Sequence, residues 1–143
     1  MHEKPLDARF YIETLDLHPH PEGGWYRRTW RADDGRTERG ALSVIYYLLE
    51  AHQSCHWHRI DCEEMWLWHA GATLTLSTTR DEDGPVESRV LGPQMPQLSI
   101  AAHLWQSAVP NGGWVLVSCV VSPGFDEKGW ELAPDDWGLA AKA

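Results

Sequence analysis

From Trp25 onward the chain falls into short apolar or alternating runs, each closed by turn-forming residues, and few folds accommodate that rhythm. The runs cover 25–31, 42–49, 54–58, 65–69, 73–79, 86–91, 97–100, 105–109 and 114–121. Asp33-Asp34-Gly35, Ala70-Gly71, the Asp81 to Pro85 stretch and Asn111-Gly112-Gly113 punctuate them. Many short strands at close spacing predict an all-β sandwich or barrel, and Asn111-Gly112 between two such runs predicts a hairpin. Ahead of the first run, Ala8, Tyr11, Ile12 and Leu15 after Pro5 form an i, i+3, i+4, i+7 stripe, which predicts one amphipathic helix ending near Leu17. His18-Pro19-His20-Pro21-Glu22-Gly23-Gly24 cannot extend it, because the prolines remove donors and the glycines favour angles that other residues avoid.

A chain of 143 residues has room for one continuous core, so a single domain over 1–143 is expected. Its formal charge of -9 argues against nucleic acid or an anionic membrane as partner. Arg27, Arg28 and Arg31 form the best basic cluster, suited to one anionic ligand or to a solvated strand face. No run of about 18 apolar residues exists and the N-terminus is charged, so a cytoplasmic protein is expected. Cys55, Cys62 and Cys119, odd in number and without C-x-x-C spacing, read as reduced thiols. The nine Trp supply core, with some left for a pocket wall or a subunit interface.

His56 and His58 are one residue apart, and on a regular strand that spacing aims both imidazoles at one face. After a turn at 59–62, the returning strand can bring Glu64 or Glu63 opposite them. Glu64 shares a face with Trp66 and Trp68 and is preferred, with Glu63 as the alternative. Two imidazoles and a carboxylate suit one divalent metal ion, among Zn, Fe, Mn, Ni and Cu. Arg59 can clamp an anion or pair with Asp61, and Trp105 is a candidate pocket wall. Glu22, before two glycines, is a candidate ligand contact.

The string H-W-H-x5-E-x6-G, from His56 through Glu64 to Gly71, resembles the first conserved motif of the cupin superfamily, with a longer loop before the glutamate. The second motif, P-x-G-x-x-H, aligns with the stretch from Ala101 to Gln106, so Gln106 stands where the resemblance implies a third histidine ligand. Further strings are similar, in order, to a cupin subfamily whose members are labelled predicted sugar epimerases. They are the stretch from Leu17 to Tyr26, Ile45 to Leu49, Trp57-His58-Arg59, Glu64-Met65-Trp66, Trp105-Gln106 and Ser122-Pro123-Gly124-Phe125.

That resemblance implies a jelly-roll barrel, a homodimer, and a small-molecule ligand in the barrel, sugar-like or a keto acid. It implies metal ligation by His56, His58, Glu64 and Gln106, or acid-base chemistry with His58 as base, Glu64 beside it and Tyr46 or Tyr26 as acid. Glu22, Tyr26, Arg59, Trp66, Trp105 and Gln106 would contact the ligand. A non-catalytic binding barrel, with Gln106 marking lost chemistry, is the alternative.

Overall fold

A computed structural model describes residues 6–137. After helix α1 (Ala8–Thr14) come eleven strands: β1 (His18–Pro19), β2 (Trp25–Ala32), β3 (Leu42–Leu49), β4 (Cys55–Ile60), β5 (Glu63–Gly71), β6 (Leu74–Thr79), β7 (Glu87–Leu91), β8 (Gln97–Ile100), β9 (Trp105–Pro110), β10 (Val115–Ser122) and β11 (Trp130–Leu132). They form two antiparallel sheets, one in the order β1-β2-β3-β10-β5-β8 and the other β11-β4-β9-β6-β7. This is the predicted all-β jelly roll with a short N-terminal helix, and the nine sequence runs correspond to β2 through β10.

Asp7 caps α1, its carboxylate accepting from the Phe10 amide at 2.9 Å. The predicted stripe of Ala8, Tyr11, Ile12 and Leu15 packs on Leu17, Leu48 and Leu116, the outer face of the larger sheet. Pro5 lies outside the described residues. Alternate residues of β3 and β10 point the other way, so Tyr47, Leu49, Val115, Val117 and Cys119 meet Leu74, Leu76 and Ala108 of the smaller sheet in the main core.

Two local readings are corrected. Asn111-Gly112 does not close a hairpin: β9 pairs with β4 and β6, whereas β10 pairs with β3 and β5, so the turn carries the chain from one sheet to the other. Likewise β4 and β5 are not hairpin partners, and Glu64 faces His58 from the opposite sheet. Burial of both strand faces decides these pairings, and turn chemistry alone does not carry that information. The C-terminal segment, read as tail or docking element, docks as far as Trp137, whose ring lies 5.1 Å from Trp57 and 5.0 Å from Trp105; 138–143 lie outside the described residues.

The His18–Gly24 loop is shaped by its backbone. The His20 amide donates to the Gly24 carbonyl at 2.8 Å and the Gly23 amide to the His20 carbonyl at 3.0 Å. Gly23 sits at φ +104°, where a Cβ would strike the Ser54 carbonyl oxygen. The glycine thus serves a close approach of backbone to backbone. Gly23→Ala is expected to cost about 1–3 kcal/mol through this strain, read as a lowered midpoint in chemical denaturation; an unchanged midpoint would show that the loop does not depend on it.

Candidate functional site

A cavity of about 840 Å³ is lined from both sheets and from the His18–Gly24 loop, within the range that takes a small organic ligand. Glu22 reaches it from the loop, held where the His56 amide donates to the Glu22 carbonyl at 3.0 Å. Its Oε1 lies 3.1 Å from His20 Nε2 and its Oε2 lies 2.7 Å from His58 Nδ1. Only about a tenth of the Glu22 side chain is exposed, and less of His58.

His58 owes its inward aim to a bulge. Cys55 is opposite Ala108 and His58 opposite Gln106, so three steps on β4 match two on β9. Cys55 and His58 therefore share the inner face. His56, expected beside His58, instead places Nε2 at 3.1 Å from the Ala133 carbonyl and 2.9 Å from that of Pro134, fastening the C-terminal segment outside the cavity.

The Nδ1 of His58 lies 2.8 Å from the His56 carbonyl, which can only accept, so Nδ1 carries a proton directed there. Glu22 Oε2 is then held by charge without a directed hydrogen bond, and it is one of two buried polar atoms lacking a hydrogen-bond partner among the described residues. Burial works against the His58 imidazolium, but Cys55 and Glu22 more than offset it and hold its pKa well above the ordinary 6.5. Burial raises the Cys55 thiol pKa, with His58 acting the other way. Burial disfavours the Glu22 carboxylate too, yet His58 above all, with His20, draws its pKa below 4.5. His20 is lowered by burial and remains neutral, its Nδ1 accepting from the Glu22 amide at 3.0 Å.

Glu64, not Glu63, is the inward carboxylate: Glu64 is buried and Glu63 exposed. Its Oε1 accepts from Gln106 Nε2 at 2.7 Å, and Gln106 Oε1 accepts from Trp66 Nε1 at 3.0 Å. Burial raises the Glu64 pKa, only partly countered by His58 and Gln106.

Of the other expected residues, Tyr26 lines the cavity beside His20, with ring centroids 4.4 Å apart. Tyr46 does not: it packs outward with the helix cluster, and its neighbour Tyr47 is the inward one, hydrogen-bonded to the Gly23 carbonyl. Trp105 and Arg59 are also on the outer face, the guanidinium 4.7 Å above the Trp105 ring and paired at 2.8 Å with Glu131. Asp61, expected as the Arg59 partner, is gripped by Arg39 at 2.7 Å. Gln106 and Trp66 are buried behind Glu64, supporting it without lining the cavity. Sequence reasoning missed His20, Cys55, Arg39 and Trp130; the unusual string around Glu22 was the one available signal for His20.

The metal set expected from the sequence is not assembled, because His56 is outside and the Gln106 oxygen is committed to Trp66. Glu22, Cys55 and His58 do bring one ligand atom each within 4.8 Å of one another, a nitrogen, sulfur and oxygen set of the kind zinc accepts. These three could hold a divalent ion, which would be taken up with release of the ring and thiol protons, Cys55 Sγ lying 3.6 Å from His58 Nδ1.

The fold and the buried acid-base floor define a barrel protein with an enclosed polar site. The chain belongs to the cupin superfamily family DUF985, whose profile matches residues 9–133. A crystal structure of a protein from Shewanella oneidensis is similar over 96% of this chain and 90% of that one, with 33% identity and a TM-score of 0.87. A hypothetical protein from Leishmania major matches over 94% and 92%, with 28% identity and a TM-score of 0.80. Bacillus subtilis oxalate decarboxylase, at 17% identity and a TM-score of 0.64 over 90% of this chain and 34% of that one, shares the fold. No curated protein matches the sequence.

The pair fixes a pH dependence. His58, raised on folding, contributes stability that is complete below about pH 6.5 and lost as pH climbs through its folded value. Glu22, lowered on folding, contributes above about pH 4.5 and loses its contribution as pH falls through its folded value. Both contributions are full between those limits. There Glu22→Gln is expected to cost about 3–5 kcal/mol by leaving a buried imidazolium uncompensated, with the gap to wild type narrowing at alkaline pH in thermal unfolding scans. A pH-independent gap would contradict the ion pair.

Proposed function

We propose that this chain is a proton-transfer enzyme of the epimerase or isomerase kind, acting on a small oxygen-rich molecule, sugar-like or a keto acid. One observation carries the reading: a buried imidazolium–carboxylate pair stands beside a separately buried carboxyl in one cavity. Environments that push neighbouring groups to opposite protonation states are how a site divides acid from base. His58, held protonated by Glu22, is the acid, a reversal of the base role that the resemblance implied. Its Nε2 makes no hydrogen bond with any described residue.

In this reading the Nε2–H donates to a substrate carbonyl oxygen, and Glu64 takes the proton from the adjacent carbon. The resulting enol or enolate is reprotonated at carbon, by Glu64 on the same face or by Tyr26 on another, which exchanges or inverts the centre without change of oxidation state. A raised pKa suits Glu64 to this role, because a carboxylate nearer neutrality is the stronger base. Gln106 positions it. The homodimer implied by the resemblance is also proposed, supported by the open edge of β2 beyond Tyr26 and by Trp30, which is 59% exposed. Among the described residues no helix is long and apolar enough to cross a membrane.

The alternative, a binding barrel without turnover, is favoured by the tie between Gln106 and Glu64. Incubating the protein in deuterated water with a panel of keto sugars and keto acids separates the two. Deuterium is expected at the carbon next to the carbonyl, with the rate falling at least about 100-fold in His58→Gln and in Glu64→Gln. No incorporation across the panel would favour the binding barrel.

A further inference from the structure

The mouth of the cavity is built differently from its floor. The chain carries 12 Lys and Arg against 21 Asp and Glu, yet five of those 12, Arg27, Arg28, Arg31, Arg39 and Lys128, line this one cavity. Register explains part of the clustering. Arg28 and Arg31 are three apart and would point to opposite faces of a regular strand. Arg28 is opposite Ile45 and Trp30 opposite Val44, so Thr29 is an extra residue and Arg31 falls opposite Ser43. The bulge turns Arg28 and Arg31 to the same face as Ile45 and Ser43, both of them cavity residues.

These cations differ in what they have left to give. Arg39 is spent on Asp61 and on the Gly124 carbonyl. Arg31 gives one nitrogen to the Glu38 carbonyl at 3.0 Å, and the Arg28 guanidinium makes no hydrogen bond or ion pair with any described residue. Asp126 and Glu127 line the cavity beside Lys128, from the segment between β10 and β11, and Glu38 lines it beside Arg39, whereas Arg27, Arg28 and Arg31 come together from β2.

A second observation comes from the floor. The two buried polar atoms without a hydrogen-bond partner among the described residues are Glu22 Oε2 and Trp130 Nε1, an acceptor and a donor on two cavity residues. Trp130 is one of the groups that lower the Glu22 pKa, so its indole N–H lies toward that carboxylate. A hydroxyl group answers both atoms at once, donating to the first and accepting from the second.

We propose that the cavity takes a hydroxylated anion, with its phosphate or carboxylate on Arg28 and Arg31 and a hydroxyl between Glu22 Oε2 and Trp130 Nε1. This rests on the cavity being the substrate site and names the substrate class. Two guanidinium groups on one wall give charge-assisted, bidentate donors for phosphate or carboxylate oxygens. Anchoring the anion at the rim leaves the hydroxylated carbons beside His58.

Calorimetry at low salt with ribose 5-phosphate, gluconate, pyrophosphate and neutral ribose tests the assignment. The wild type is expected to bind pyrophosphate and at least one of the two hydroxylated anions at millimolar concentration or below, and to bind ribose far more weakly. Replacing both arginines, Arg28→Ala with Arg31→Ala, should weaken every anion about tenfold or more, while Trp130→Phe should weaken the hydroxylated anion about tenfold and leave pyrophosphate unchanged. Both arginines are exposed, so loss of fold is not expected, and circular dichroism checks it. Anion binding indifferent to the double substitution, ribose binding equal to its phosphate, or no anion binding at all would overturn the proposal. Binding is read without turnover: lost anion binding with deuterium exchange intact removes only this inference, and intact binding with no exchange removes only the proton-transfer reading.

Discussion

The contact between Glu22 and His58 is the constraint around which the barrel interior is arranged. Each charge alone would be expensive to hold away from water; together, 2.7 Å apart, each makes the other tolerable. Neither residue reaches that position by default. Glu22 is carried in by a loop that needs Gly23 to pass the Ser54 carbonyl, and His58 is turned in by a bulge in β4. Two departures from regular backbone converge on one ion pair.

That convergence explains features that otherwise look unrelated. His56 is released from the interior by the same bulge and becomes an anchor for the C-terminal segment, so the His-x-His string serves two purposes on two faces. Gln106, where a third imidazole would be expected, links Trp66 to Glu64 and holds the carboxyl within reach of the cavity. The cavity floor pairs an imidazole with a carboxylate and sets beside them a second carboxyl raised by burial, the arrangement on which the proton-transfer proposal rests. A cupin barrel can support such chemistry because function resides in the side chains at its centre and not in the fold that presents them.

The sequence was most informative where one period governs a whole strand. Alternation in β5 put Glu64, Trp66 and Trp68 on one face, and the structure keeps Glu64 inside while Glu63 is exposed. It misled wherever a single extra residue broke the period. The β4 bulge reversed the reading of His56, and nothing in the composition of that stretch announces it. Tyr46 and Tyr47 are adjacent, so choosing between them required knowing which face of β3 the helix covers. Asn111-Gly112 has the chemistry of a hairpin turn yet joins two sheets, because strand pairing is decided by which faces are buried. Trp130 and Arg39 reach the cavity region from distant segments and leave no local signature.

The most direct measurement is the titration of the His58 imidazole by nitrogen-detected NMR of labelled protein, followed at both ring nitrogens. If Glu22 and His58 are the buried pair described here, both nitrogens stay protonated through neutral pH and release a proton only well above 6.5. A ring that is a single neutral tautomer at pH 7, titrating at or below the ordinary histidine value, would contradict the account.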